Sequence, residues 1–196
     1  MDQEDGLIYF RDGVVVAESG DARVYKMGRE LFLEIGPSHT LWAMESELET
    51  YMWQLQDFPF GNCLEIGLGL GVASRYLLTF PKVKTLTTVE VNQDVINVHE
   101  KIKESDRGLN LEYDRSKHTI RCVDGLEYAY QTNKRYDFIF LDFYDRIDEE
   151  TIPAIADMAQ ACSGVLNTGG RMLGWLDKHT PENNAKAFFD IFNTYS

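Results

Sequence analysis

The sequence reads as an α/β protein, a doubly wound, Rossmann-like parallel sheet preceded by a small antiparallel β region. Three observations carry this. After Gly61, short apolar runs alternate regularly with helix-period segments, the pattern of strand-helix units that cover a sheet on both faces. Tyr136 to Leu141 is almost wholly apolar, as a doubly covered central strand should be. Before residue 43 the rhythm differs, with short β-rich segments punctuated by turns. Two regions are therefore expected, a β-hairpin region over 1–43 and a Rossmann-like domain over 44–196.

The elements follow in order. Asp12-Gly13 separates Ile8-Tyr9-Phe10 from Val14-Val15-Val16, a hairpin signal. Ala22 to Met27 and Glu30 to Ile35 flank Gly28-Arg29, a second one. Gly36-Pro37 breaks the chain before His39 to Trp42. Met44, Leu48, Tyr51 and Leu55 then recur at three- and four-residue intervals, which predicts a helix from Met44 to Gln56. Cys63 to Ile66 is the first strand of the parallel sheet and Val72 to Phe80 its helix. Thr85 to Val91 is the second strand, followed by a helix over Gln93 to Glu104. Thr119 to Val123 is the third, followed by Leu126 to Thr132. Tyr136 to Leu141 is the fourth, followed by Glu149 to Leu166. Gly169-Gly170 turns into a fifth strand, Arg171 to Leu176. Thr180 as N-cap and Pro181 open a last helix that runs to Tyr195. The expected strand order is 3-2-1-4-5, with ligands at the carboxyl ends of strands 1, 2 and 4.

Composition narrows the function classes. Among 196 residues, Asp+Glu is 32 and Lys+Arg is 19, a net charge of −13. Such a surface repels phosphate backbones and anionic lipid and attracts cations, so neither nucleic acid nor a membrane is an expected partner. No apolar run approaches the roughly 20 residues of a membrane span, and the acidic start Met-Asp-Gln-Glu-Asp-Gly is wrong for a signal peptide. Cys63, Cys122 and Cys162 are odd in number and widely spaced, which favours reduced thiols and a cytoplasmic location. His39, His99, His118 and His179 fall in no metal spacing, and no metal is expected.

The chemistry gathers at the strand ends. Glu65-Ile66-Gly67-Leu68-Gly69-Leu70-Gly71 joins a strand directly to a helix. Gly67, Gly69 and Gly71 permit a tight turn and close approach of a ligand to the main chain. The spacing is not the G-x-G-x-x-G of dinucleotide binders, and no Lys or Arg is present to meet a phosphate. An acid at Glu65 would repel one. A ligand carrying ammonium and sulfonium charges, such as S-adenosylmethionine, suits both features. Glu90, at the end of the second strand, can accept both hydroxyls of a ribose, while Asn92 is the better helix cap. Asp124 can accept from an adenine amino group and can also cap the next helix, and Gly125 keeps that wall flat. Asp142 and Asp145 leave the fourth strand three residues apart, a costly pairing without a cation to neutralise it.

Taken together, these residues resemble the spermidine synthase (polyamine aminopropyltransferase) family, within the class I S-adenosylmethionine-dependent methyltransferase superfamily. The resemblance covers about residues 22 to 180. It rests on Glu90-Val91-Asn92-Gln93-Asp94-Val95-Ile96, on Val123-Asp124-Gly125-Leu126-Glu127 and on Tyr136 through Asp145, where the family carries Y-D-x-I-x-x-D-x-x-D. It implies the class I methyltransferase fold and decarboxylated S-adenosylmethionine as co-substrate. Glu65 to Gly71 and Glu90 would hold its methionyl and ribose parts, and Asp124 and Gly125 its adenine. Asp142 would act on the reacting amine of a small diamine, and Asp145 would hold that substrate's chain.

Three departures accompany the resemblance. The family's loop is Gly-Gly-Gly-Asp-Gly-Gly, whereas the loop here reads more like a methyltransferase's. Glu47 keeps the family's acid without the Tyr-His-Glu that follows it. Relatives also continue into two further strands. Methyl transfer to a small molecule and a non-catalytic ligand-binding module therefore stand as alternatives to aminopropyl transfer. The open fifth strand predicts a homodimer or higher homo-oligomer. A stripe of Trp42, Tyr51 and Trp53 reads as core or as interface.

Overall fold

The computed structural model describes residues 13–37, 40–56 and 58–195. The expected hairpin arm Ile8-Tyr9-Phe10 lies outside the described residues. Four strands form a first, antiparallel sheet in the order β1 (Val14–Ser19), β2 (Ala22–Met27), β3 (Glu30–Ile35), β4 (Thr40–Met44). The Gly28-Arg29 hairpin is where the sequence puts it, with Met27 opposite Glu30. β1 pairs with β2 across Gly20-Asp21, a turn that the sequence reading missed. Gly20 sits there at φ +52°, which favours glycine.

A helix α1 (Leu48–Leu55) leads into the second sheet. Its strands and helices alternate as β5 (Gly61–Ile66), α2 (Val72–Leu77), β6 (Val83–Glu90), α3 (Gln93–Lys101), β7 (His118–Cys122), α4 (Gly125–Gln131), β8 (Tyr136–Leu141), α5 (Ile152–Ser163), β9 (Leu166–Gly174) and α6 (Glu182–Tyr195). The strands are parallel in the order β7-β6-β5-β8-β9, which is the expected 3-2-1-4-5. β8 is buried on both faces. Phe138 and Phe140 pack with Tyr51, Leu77 and Val95 of α1, α2 and α3, while Ile139 and Leu141 pack with Ala129, Ile155 and Phe188 of α4, α5 and α6. The first cluster also takes in Val24, Leu31 and Leu33, so the small sheet shares its core with the large one. Ser19 Oγ ties the two together by donating to Asp94 at 2.9 Å.

Several boundaries moved, among them the start of α1, at Leu48 rather than Met44, and two of the shifts have a direct physical reason. α5 begins at Ile152 rather than Glu149, because Asp148 Oδ1 accepts from the N–H groups of Glu150 and Thr151, and Pro153 fixes the first turn. β9 begins at Leu166, ahead of the expected Arg171. Gly169-Gly170 forms a bulge inside the strand instead of a turn before it. The register jumps from Tyr136 opposite Leu166 to Phe138 opposite Arg171, with Gly169 at φ +79°. No helix among the described residues is long and apolar enough to cross a membrane.

Candidate active site

The glycine loop occupies the junction of three strand ends. Gly67 N–H donates to Val89 O at 2.8 Å, and Asp142 N–H donates to Ile66 O at 2.8 Å. Gly67 adopts φ +98°, and a Cβ there would lie 1.9 Å from the Asp142 carbonyl oxygen. Only glycine lets β5 and β8 come this close. Leu68 and Leu70 point into the core and anchor the loop from below. Glu90 anchors it from the side, since its Oε2 accepts from Leu68 N–H at 3.0 Å and its Oε1 from Asn92 N–H at 2.8 Å. A carboxylate offers about four lone-pair sites, so Glu90 keeps capacity for two ribose hydroxyls while holding the loop. Asn92 caps α3, accepting from Asp94 N–H at 2.9 Å.

Asp124 caps α4, with Oδ1 accepting from Glu127 N–H at 3.0 Å, and both it and Gly125 line the cavity above the loop. A Cβ on Gly125 would meet Ile66 and Met158 at 2.8 Å, so this wall is flat because it is packed.

Glu65 is a correction. Its side chain is wholly buried and is not among the residues lining the cavity. β5 alternates its faces, so Ile66 lines the cavity while Glu65 turns toward α2 and β6. There it accepts from Ser74 Oγ and, at 2.6 Å, from Thr88 Oγ1. Burial pushes its carboxyl up to about 8. The side chain that sequence reasoning assigned to the ligand braces the strand beneath the loop instead.

The acids after β8 separate into two environments. Asp145 is exposed, beside Arg146 at 4.0 Å. Asp142 is half-buried, and its Oδ2 accepts from the Tyr51 hydroxyl at 2.8 Å. Burial pushes the Asp142 carboxyl up to about 7. Tyr51 also approaches Glu47 Oε2 at 3.3 Å. Burial, then the Asp142 charge, push Glu47 up to about 8. Tyr51 itself is held edge-on against Phe140, with ring centroids 5.9 Å apart.

These groups open into one cavity of about 960 Å³ at the carboxyl ends of β5, β6 and β8. Glu47, Glu49, Glu90, Asp124, Asp142, Asp145 and Asp177 line it, against one lysine, Lys178. The size accommodates a nucleoside and a second small molecule, and the charge favours cations. Trp42 and Trp53, read as core or as interface, lie in its wall and are exposed, so they are not core. No group of three His, Cys, Asp or Glu side chains placed to hold a metal occurs among the described residues.

Sequence reasoning missed three contributors. Tyr51 was read by its helical spacing, although it stands four residues after Glu47 on the same face. Arg107 donates from Nη1 to Leu70 O at 3.0 Å and so holds the loop's far end. His99, assigned no role, lies against Gly71, where a Cβ would come within 2.2 Å of its ring. Burial pulls its imidazole down to about 3, so the ring there is neutral.

Comparison with known proteins agrees with this geometry. The Spermine/spermidine synthase domain model matches residues 59–187. A polyamine aminopropyltransferase of Hamiltonella defensa subsp. Acyrthosiphon pisum is 33% identical over 125 residues, which is 63% of this chain and 42% of that protein. One of Saccharolobus islandicus is 26% identical over 139 residues, 69% of this chain and 44% of that protein. The chain thus spans less than half the length of these relatives. Among solved structures, spermidine synthase from Thermotoga maritima superposes with a TM-score of 0.68 at 17% identity, over 93% of this chain and 63% of that one. A spermidine synthase solved in complex with the transition state analogue AdoDATO gives the same score. At such identity these superpositions establish the shared fold, while the family-model match covers well over half of the chain. The chain belongs to the spermine/spermidine synthase domain family.

Proposed function

We propose that the cavity transfers an aminopropyl group from decarboxylated S-adenosylmethionine to a diamine such as putrescine. The observation that carries this reading is the half-buried Asp142, tied to Tyr51, in a largely apolar cavity whose charged lining is seven carboxylates against one lysine. In-line displacement at the carbon beside sulfur needs an unprotonated amine held near the sulfonium. Asp142 accepts the proton of that amine, and its raised pKa suits a base acting near neutral pH. Asp145 anchors the diamine's distal ammonium. Glu90 holds the ribose, Asp124 and Gly125 the adenine, and Gly67 and Gly69 admit the donor's backbone-facing edge, whereas Gly71, expected to join them, packs on His99 outside the cavity lining.

The reading implies a cytosolic enzyme. It also implies a homodimer or larger symmetric oligomer, because β9 pairs only with β8 among the described residues. Methyl transfer remains the competing reading, favoured by the loop sequence Glu65 to Gly71, which lacks an internal acid. The test is product analysis by mass spectrometry after incubation with putrescine and each donor. Methylthioadenosine from the decarboxylated donor supports the proposal. S-adenosylhomocysteine supports methyl transfer, and neither product supports a binding module.

A further inference from the structure

Tyr51 lies between two carboxyl groups from distant parts of the chain, 2.8 Å from Asp142 Oδ2 and 3.3 Å from Glu47 Oε2. A phenol carries one proton. It donates to one carboxylate and accepts from another only when that other is protonated. Two ionised carboxylates would therefore compete for the Tyr51 proton, Glu47 having beside it only the long Met44 N–H contact at 3.5 Å, whereas one proton between them satisfies all three groups. No cation substitutes for that proton. Among the described residues neither Asp142 nor Glu47 has a basic ion-pair partner. The titratable groups acting on the cluster from neighbouring elements are Asp177, beyond Glu47, and Glu65, beyond Tyr51. Both are acids. Lys178 and His179 line the same cavity without pairing with either carboxyl.

We infer that Asp142 and Glu47 share one proton through the Tyr51 hydroxyl, which makes Glu47 a positioning and proton-accepting partner of the site. The upward displacement of both carboxyls by burial agrees with this. Its catalytic consequence rests on the aminopropyl-transfer reading. A dicationic acceptor entering the cavity expels the shared proton to solvent. Ionised Asp142 then takes a proton from the reacting ammonium. Asp142 passes that proton to the Tyr51 oxygen as Tyr51 gives its own to Glu47. Asp142 is left ionised beside the neutral amine. The amine lone pair forms the new C–N bond as the C–S bond breaks, and the bonding pair goes to sulfur, which becomes a neutral thioether. The pair again holds one proton.

The experiment is a ligand-free titration of the full chain, uniformly labelled at Asp and Glu carboxyl carbons, by ¹³C NMR. Wild type, Asp142→Asn, Glu47→Gln and Tyr51→Phe are compared. Sharing predicts that the Glu47 midpoint falls by about one pH unit or more in Asp142→Asn, and the Asp142 midpoint falls likewise in Glu47→Gln, because the coupling is reciprocal. In Tyr51→Phe the two midpoints draw together, because the singly protonated pair loses both bonds of its bridge: the lower midpoint rises and the upper one falls. Midpoints that stay put in the two amide variants overturn the inference, as does an unchanged pair in Tyr51→Phe. Backbone amide spectra of each variant establish that it is folded. The pH profile of turnover is then read separately: Glu47→Gln displaces its acid limb, and Glu47→Asp restores it. A protein that titrates as described yet forms no methylthioadenosine removes the functional reading and leaves the shared proton standing.

Discussion

Gly67→Ala probes the closest approach in the site. The residue holds φ +98°, a conformation that costs an L side chain about 1–2 kcal/mol. The added Cβ would lie 1.9 Å from the Asp142 carbonyl oxygen, a backbone atom that no rotamer change can move. β5 and β8 must part, at about 1–3 kcal/mol of overpacking, and the bond from Asp142 N–H to Ile66 O is strained or lost, at about 1 kcal/mol. The expected destabilisation is about 3–6 kcal/mol, a large share of a typical domain's stability. Gly169→Ala is the matched control. Its φ of +79° carries the same kind of conformational cost, but nothing lies within 4 Å of the added methyl, so about 1–2 kcal/mol is expected. Urea denaturation of both variants, read as midpoint shifts at constant slope, tests the difference. If Gly67→Ala unfolds at the same urea concentration as Gly169→Ala, the close approach is not a constraint and the reasoning fails.

Three other expectations follow from the same geometry. Glu90→Ala should weaken nucleoside-donor binding by about 2–4 kcal/mol, since it removes charge-assisted contacts to the ribose. Unchanged calorimetric affinity in a folded variant would remove that role. Burial raises Glu65 to about 8, so the folded state retains a proton that the unfolded chain has already lost, and stability falls as pH rises from the ordinary carboxylate range toward 8. Glu65→Gln should therefore gain on wild type across that window in thermal melts, and a pH-independent difference would show that Glu65 does not titrate there. Light scattering at micromolar concentration should give at least twice the chain's 22.5 kDa, whereas a mass near 22.5 kDa would rule out the oligomer.

The fold was largely legible because β-α alternation and the apolar run Tyr136–Leu141 depend on local periodicity. The strand-end acids were legible too, because topology alone brings Glu90, Asp124 and Asp142 to one edge. Glu65 was misjudged because the reading followed its place in the motif and not the alternation of faces along β5. Tyr51 and Arg107 were missed because their contacts, to Asp142 and to the Leu70 carbonyl, are made across 91 and 37 residues. The Gly169-Gly170 bulge reads as a turn because both use glycine in the same backbone region, and only the partner strand's register separates them.

The central claim is that the acidic cavity moves an aminopropyl group with Asp142 acting on the attacking amine. Rapid-quench single turnovers of wild type and Asp142→Asn, with decarboxylated S-adenosylmethionine and putrescine, test it most directly. Wild type should form methylthioadenosine and spermidine together, and Asp142→Asn should lower that rate by about 10²–10⁴ with donor affinity held within a few-fold. A rate in Asp142→Asn within a few-fold of wild type, or S-adenosylhomocysteine formed in place of methylthioadenosine when S-adenosylmethionine is supplied, would contradict it.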